Sequence, residues 1–368
     1  MLTGPRALID HAALRANLAL ARQHAPESRV WAVVKADAYG HGLLEVAATL
    51  AAEADGLAVA RVEEGVRLRA AGVGVPILVL EGAIILEEVD AAAHHRLELA
   101  VHQEEQLALL EQARTQPPLR VWLKVDTGMH RLGLPPEAVA GLVERLARCP
   151  RLVRPFGFLT HLANADAPED GLTARQCERL RALTPPGAVL SIGNSAGLLA
   201  FAAARTDWVR PGIMLYGSSP FVHPTAAELG LRPAMTLQTR LIAIKHLRRG
   251  DAVGYGGTWV CPEDMAVGVA GIGYGDGYPR HAPSGTPVLI AGRRAPLVGR
   301  VSMDMISIDL RGLPEVKLGD PVTLWGEGLP VDEIAARAGT ISYELLCRVT
   351  PRVPRQHLGT ATREARVL

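Results

Sequence analysis

The strongest constraint on the fold is a rhythm. Up to about residue 215, short apolar runs alternate with longer segments of helical spacing. The runs are Val30–Val34, Gly56–Ala60, Pro76–Leu80, Leu97–Val101, Arg120–Val125, Phe156–Thr160, Val189–Ile192 and Trp208–Arg210. Between them, segments such as Leu43–Ala54, Val62–Ala71 and Gln103–Arg114 place apolar residues at helical intervals. Runs with so little alternation suit strands buried on both faces of a parallel sheet. Eight β-α units in this length predict a TIM-like (β/α)8 barrel. An open doubly wound sheet is the competing reading. It predicts a glycine fingerprint after the first strand, and Val34-Lys35-Ala36-Asp37-Ala38-Tyr39 has none.

Past about residue 230 the rhythm changes. Strand-like alternation dominates over Thr236–Leu247, Met265–Ile272, Pro287–Ile290, Met305–Leu310 and Pro321–Trp325, with one helical stretch at Val331–Ala338. The turns are rich in Gly, Pro and Asp. The expected class is therefore α/β + β: a barrel over residues 10–230, then a mostly-β C-terminal domain over 231–368, with the boundary inside Gly217–Pro233.

Charge and targeting narrow the function classes. A formal net charge of +1 argues against nucleic acid or an anionic membrane as partner. The N-terminus lacks the basic and apolar regions of a signal peptide. The most apolar stretch, Ala70–Leu86, is interrupted by Pro76 and Glu81, so no membrane span is expected. Cys149, Cys177, Cys261 and Cys347 are scattered with no C-x-x-C pair, which predicts buried reduced thiols in a cytoplasmic protein and no metal.

In a barrel, functional side chains gather just past the C-terminal ends of the strands. Lys35, Lys124, Arg131, His161, Asn194, Ser195, Arg210 and Gly212 all fall there. Lys35 stands out. The chain has 39 basic residues, and only Lys35, Lys124, Lys245 and Lys317 are lysine. A lysine at the end of an apolar strand is partly desolvated, which lowers its pKa and frees the amine as a nucleophile. Gly-rich backbone around Ser195 and Gly212 offers N–H groups to a phosphate, although Asn-Ser-Ala-Gly alone is equally a helix cap. A lysine nucleophile beside a phosphate cradle on a barrel suggests pyridoxal 5'-phosphate.

The run Ala32-Val33-Val34-Lys35-Ala36-Asp37-Ala38-Tyr39-Gly40-His41-Gly42 resembles the cofactor-attachment signature of the alanine racemase family. The resemblance continues in order through Lys124–Gly133, Thr160–Asp166, Val209–Gly217, Gly254–Trp259, Gly273–Arg280 and Gly299–Asp304. It implies a barrel plus β-domain in which residues 1–9 pair with the C-terminal domain. It implies a homodimeric, cytoplasmic isomerase that interconverts L- and D-alanine and supplies D-alanine for peptidoglycan.

The resemblance also assigns roles. Lys35 would hold pyridoxal phosphate as a Schiff base, and Tyr39, Asn194, Ser195, Gly212 and Ile213 would help bind the cofactor. Arg210 would face the pyridine nitrogen. Arg131 and the Met303 backbone would bind the substrate carboxylate, and a carbamylated Lys124 would orient Arg131. Tyr255 would be the second base, reaching in from the partner subunit, and His161 would connect it to Arg210. Asp166, Tyr274, Arg280, Arg300 and Asp304 would line the entrance.

The chemistry fits two bases, because racemisation removes a proton from one face and returns one to the other. A phenol is a poor base near neutrality unless cations lower its pKa. One departure stands out. Where many members carry a tyrosine before Arg352-Val353-Pro354-Arg355, this chain has Thr350-Pro351, which removes a phosphate contact and widens the entrance. Tyr343 is expected to pack in the last helix. Alternatives are a broader-specificity racemase, a fold-related pyridoxal-phosphate decarboxylase, and a non-catalytic carrier of the cofactor. The carrier reading leaves the second domain unexplained.

Overall fold

The computed structural model describes residues 4–113 and 117–359. The expected helix end at Arg114, residues 1–3 and residues 360–368 lie outside the described residues. Strand β1 (Arg6–Asp10) comes first, and the following helix His11–His24 starts on an Asp10 side-chain cap. Eight parallel strands then close a barrel in chain order. They are β2 (Arg29–Val33), β3 (Gly56–Val59), β4 (Ile77–Val79), β5 (Glu98–Val101), β6 (Arg120–Lys124), β7 (Gly157–Leu159), β8 (Val189–Ser191) and β9 (Trp208–Val209). β9 pairs back onto β2 through Arg29↔Trp208 and Val30↔Val209. Each falls on one of the apolar runs, so the barrel expected from the rhythm is the barrel observed.

The barrel interior is set by side-chain alternation. Trp31 stacks on Trp208 with ring centroids 4.3 Å apart, and Trp122 meets Trp31 edge-on at 6.1 Å. This aromatic layer needs glycine beside it. A Cβ on Gly56 would lie 2.2 Å from the Trp31 ring, and one on Gly157 would lie 2.3 Å from the Trp122 ring. Because strand side chains alternate with period two, the residues two positions on face the same interior. Those are Val33 after Trp31, Lys124 after Trp122, Leu159 after Gly157 and Arg210 after Trp208. The tryptophans plug the lower barrel, and the next layer opens toward the C-terminal mouth.

The C-terminal domain is built on β10 (Met235–Leu247). Two short strands, β11 (Ala252–Val253) and β12 (Trp259–Val260), form a hairpin. The main sheet runs through β13 (Met265–Ala270), β14 (Pro287–Ile290), β15 (Arg293–Val298), β16 (Ile306–Asp309) and β17 (Pro321–Trp325), in the order β13-β16-β15-β14-β17-β10. β10 also pairs with β13 beyond a register shift between Leu241 and Ala243, so the sheet curls onto itself. β1 lies antiparallel on β10, and β18 (Arg355–Leu358) lies parallel to β1. The chain's first strand is thus embedded in the C-terminal sheet.

β15 was not expected. It carries Arg293, Arg294 and Pro296, and its tight turn has Ala291 and Gly292 at φ +50° and +77°. Polar residues and a proline hide a strand from pattern reading. One apolar core runs through both domains, with a small second cluster at Val253, Cys261, Met265, Val267 and Val298. Among the described residues no helix is long and apolar enough to cross a membrane.

Candidate active site

The end of β2 delivers Lys35 and then turns the wrong way. Ala36, Asp37, Ala38 and Tyr39 all have φ between +52° and +56°, a left-handed turn without glycine. Each L-residue there costs about 1–2 kcal/mol, so the turn holds roughly 4–8 kcal/mol that surrounding contacts must offset. Asp37 Oδ1 accepts from Leu43 N–H at 2.9 Å, across the turn. The Tyr39 ring stacks on Tyr216 at 4.6 Å, and the Tyr216 hydroxyl donates to Val33 O at 2.8 Å. Packing thus fixes the backbone immediately beside Lys35.

Lys35 opens into a cavity of about 540 Å³ at the C-terminal mouth of the barrel, a size suited to a cofactor. Lys35, Tyr39, Lys124, Arg131, His161, Asn194, Ser195, Arg210, Gly212 and Ile213 line it together. Arg131 gets there through a closed loop. Leu134 N–H donates to Lys124 O at 2.8 Å, Asp126 N–H donates to Leu134 O at 3.0 Å, and the Asp126 carboxylate accepts from the amides of Gly128, Met129 and His130.

The cavity is strongly cationic. Lys35, Lys124, Arg131 and Arg210 face it, and among the described residues Glu81 is the only carboxylate in its lining. Burial lowers the Lys35 pKa, and Arg131 lowers it further. Burial, then Arg210 and Arg131, bring Lys124 down to about 8. His161 is driven well below its usual value by burial and then by Arg210, so it is a neutral imidazole at pH 7. Arg210 is 4% exposed and burial lowers it to about 10, which leaves it protonated.

Arg210 is also rigid. Its Nη1 donates to Ser191 O and Oγ at 2.7 Å, and its Nη2 donates to Thr160 O at 2.5 Å and Ile192 O at 3.2 Å. None of its hydrogen bonds among the described residues uses Nε. Nor does any join it to His161, so that expected connection is electrostatic in the single chain. On the opposite wall, Asn194 Oδ1 caps the helix Ser195–Ala200 through Gly197 N–H at 2.8 Å. Ser195 Oγ accepts from Gly212 N–H at 2.9 Å, which leaves its own proton to donate. A Cβ at Gly212 would lie 2.5 Å from the Tyr39 hydroxyl, so only glycine lets the backbone approach there.

The remaining expected residues lie elsewhere in the single chain. Tyr255 is 69% exposed and Met303 53% exposed, both on the C-terminal domain. Arg300 sits beside Tyr255: a Cβ on Gly256 would be 3.5 Å from its Nη1. Tyr274 N–H donates to Ser302 O, and Asp304 pairs with Arg352 at 2.7 Å, which also reaches Asp276. Arg280 and Asp166 are exposed and outside the cavity lining.

Beside several aliphatic side chains, three lining residues with ionisable groups were not anticipated as such. Glu81 follows β4, so the strand-end rule that found Lys35 finds it too. Tyr343 and Cys347 come from the helix Ser342–Cys347, which the C-terminal domain lays over the mouth, and no local signal marks them. Cys347 is exposed, which corrects the expectation that all four thiols are buried. Thr350, next to Pro351 in the place of the family tyrosine, turns its hydroxyl to Gly275 O at 3.0 Å, and neither residue lines the cavity.

The donor set suits pyridoxal phosphate: a desolvated amine for the aldehyde, hydroxyls and N–H groups for the phosphate, and a fixed guanidinium for the ring nitrogen. Fold and site together define a barrel enzyme whose cavity suits this cofactor. Comparison with known proteins narrows the class. The family models described as alanine racemase N-terminal domain and C-terminal domain match residues 9–220 and 234–357. An alanine racemase of Nitrosococcus oceani is 58% identical over 95% of this chain and 98% of that protein, and one of Halorhodospira halophila is 52% identical over 97% and 98%. The crystal structure of the biosynthetic alanine racemase from Pseudomonas aeruginosa matches with a TM-score of 0.93 at 47% identity, covering 97% of this chain and all of that one. The chain belongs to the alanine racemase family.

Proposed function

We propose that this chain interconverts L- and D-alanine by two bases, Lys35 on one face of the substrate and Tyr255 of a partner subunit on the other. The observation that carries the assignment is the convergence of Lys35, Lys124, Arg131 and Arg210 on one cavity from strands far apart in sequence. Bound there, pyridoxal phosphate supplies an electron sink that acidifies the substrate's Cα–H.

The chain's own groups do the rest. Lys35 Nζ, its pKa lowered by burial and then by Arg131, takes or returns the proton on its face. Arg131 pairs with the substrate carboxylate, joined by the Met303 backbone of the partner subunit. Lys124, part neutral near pH 8, takes up carbon dioxide as a carbamate and so becomes an anion that orients Arg131. Arg210 offers only N–H donors to the ring nitrogen and cannot give it a full proton, which weakens the sink and disfavours transamination. Tyr255 Oη exchanges the proton on the far face. Neutral His161 relays a hydrogen bond to it, and Arg210 supplies the positive charge. Tyr39, Asn194, Ser195, Gly212 and Ile213 hold the cofactor.

The exposure of Tyr255, Tyr274 and Met303 supports a homodimer in which this face covers the partner's cavity, with Asp166, Arg280, Arg300 and Asp304 around the entrance. We divide the chain into a barrel over 10–230 and a β-domain over 231–368 that also takes up residues 1–9. Four unpaired cysteines support a reducing, cytoplasmic setting for D-alanine supply to peptidoglycan.

The test is to incubate the pure protein with L-alanine, serine, lysine and arginine, and to follow D-product and the cofactor absorbance. Alanine racemised far faster than the others supports the assignment. Comparable rates on all four favour the broader-specificity racemase, for which the missing tyrosine hydroxyl at Thr350-Pro351 is the motive. Decarboxylation, or cofactor binding without turnover, overturns both.

A further inference from the structure

We propose that Glu64 and Arg355 are positioning residues for Lys35. They grip the two ends of the left-handed turn that follows it and so fix where its amine stands. Four left-handed residues without glycine do not hold themselves in place, so the grip must come from outside the turn.

At the near end, Ala36 N–H donates to Glu64 Oε1 at 2.8 Å. The other oxygen, Oε2, accepts from Ala60 N–H at 2.8 Å and Arg61 N–H at 3.1 Å, at the start of the helix Val62–Ala70. A glutamate at the third position of a helix ordinarily turns back to cap its own helix. Here one oxygen does that, while the other crosses from the end of β3 to the residue beside Lys35. Three N–H donors on one side chain require a group that only accepts.

At the far end, Arg355 Nε donates to Gly40 O at 3.1 Å. Its other nitrogens are committed to the carbonyls of Thr350, Val353 and Val349 at 2.7–3.0 Å. The guanidinium is therefore anchored in the C-terminal domain and cannot swing away from the turn. A Cβ on Gly40 would lie 2.1 Å from Leu346 O, so the turn is also pressed against the helix that bears Tyr343 and Cys347. One clamp belongs to the barrel and the other to the second domain. The Glu64 carboxylate also opposes the fall in the Lys35 pKa that burial and Arg131 cause. Lys35 further faces Glu81, Lys124, His161 and Cys347, all of which a change at Glu64 leaves in place.

The inference rests on Lys35 being the cofactor lysine, and the experiment separates the two. Wild type, Glu64→Gln, Glu64→Asp and Arg355→Lys are stripped of cofactor and titrated with pyridoxal phosphate by absorbance. The pH dependence of borohydride-trapped labelling at Lys35 is read by peptide mass, and thermal unfolding is followed in parallel. Glu64→Gln and Arg355→Lys should each weaken cofactor binding about 10- to 100-fold, as expected for a lost charged hydrogen bond. Glu64→Gln should also move the labelling profile to lower pH, and Glu64→Asp should restore the profile but only part of the affinity. Should Glu64→Gln fail to fold, Glu64→Asp and Arg355→Lys decide by the same readings. Wild-type affinity and an unmoved profile in the variants overturn the inference alone. No label on Lys35 in the wild type overturns the cofactor reading, and this inference with it.

Discussion

Among individual residues, the lysines carry the sharpest expectations. In the role proposed for it, Lys35 must be a primary amine, because a guanidinium neither forms a Schiff base nor gives up its proton near neutrality. Lys35→Arg should lower alanine racemisation by about four orders of magnitude or more in a D-alanine assay, while Lys245→Arg and Lys317→Arg should leave it unchanged. Lys124 makes a pH prediction. Its folded pKa of about 8 lies below the ~10.4 of lysine in an unfolded chain, so the unfolded chain binds more protons between those values. The charged amine's penalty is therefore full below pH 8 and is relieved as pH rises toward 10.4. Cofactor-free protein in carbon-dioxide-free buffer should gain on the order of 2–3 kcal/mol of stability across that window, and Lys124→Met should lose the gain. A flat wild-type profile in denaturant titrations would count against this. Arg210→Glu should raise the transaminase side reaction, seen as pyruvate and aminated cofactor. No rise would refute the role given to Arg210.

The elements show why strand ends were readable and one turn was not. The eight barrel strands announce themselves as apolar runs, so residues just past them could be shortlisted as site residues. The alternation that turns Lys124 and Arg210 inward follows from their spacing of two from Trp122 and Trp208. The left-handed turn after Lys35 has no such signal, because its strained residues are Ala, Asp, Ala and Tyr and their conformation is imposed by neighbours. The glycines of the aromatic plug make a direct test. Gly157→Ala places a methyl 2.3 Å from the Trp122 ring. It should cost about 1–3 kcal/mol by overpacking, read from urea unfolding, and should also disturb Lys124 two residues along β6. A cost below about 0.5 kcal/mol would mean that Trp122 has room to shift.

In the whole molecule, the two domains divide the chemistry. The barrel supplies Lys35, the proposed cofactor lysine, and its cationic surroundings, and the C-terminal domain carries Tyr255 on an exposed face. The proposed completion of the cavity by a second chain predicts that specific activity falls on dilution in step with loss of dimer by ultracentrifugation. Constant activity per chain in a demonstrated monomer would show that Tyr255 is not needed in trans. The helix Ser342–Cys347 adds a second cross-domain element, since it brings Tyr343 and Cys347 over the mouth of the barrel.

By itself the sequence determined the barrel, the β-rich second domain and the strand-end residues, Lys35 among them, that line the cavity. These rest on hydrophobic period and local residue chemistry, which a linear chain displays. Only the tertiary structure decided that Ala36–Tyr39 wind left-handed, that Glu64 and Arg355 hold them, and that Tyr343 and Cys347 face the same space as Lys35. Those outcomes depend on separate segments meeting at one turn, from Glu64, 28 residues along the chain from Ala36, to Arg355, 315 residues from Gly40. Contact between distant segments leaves no period in the sequence to read.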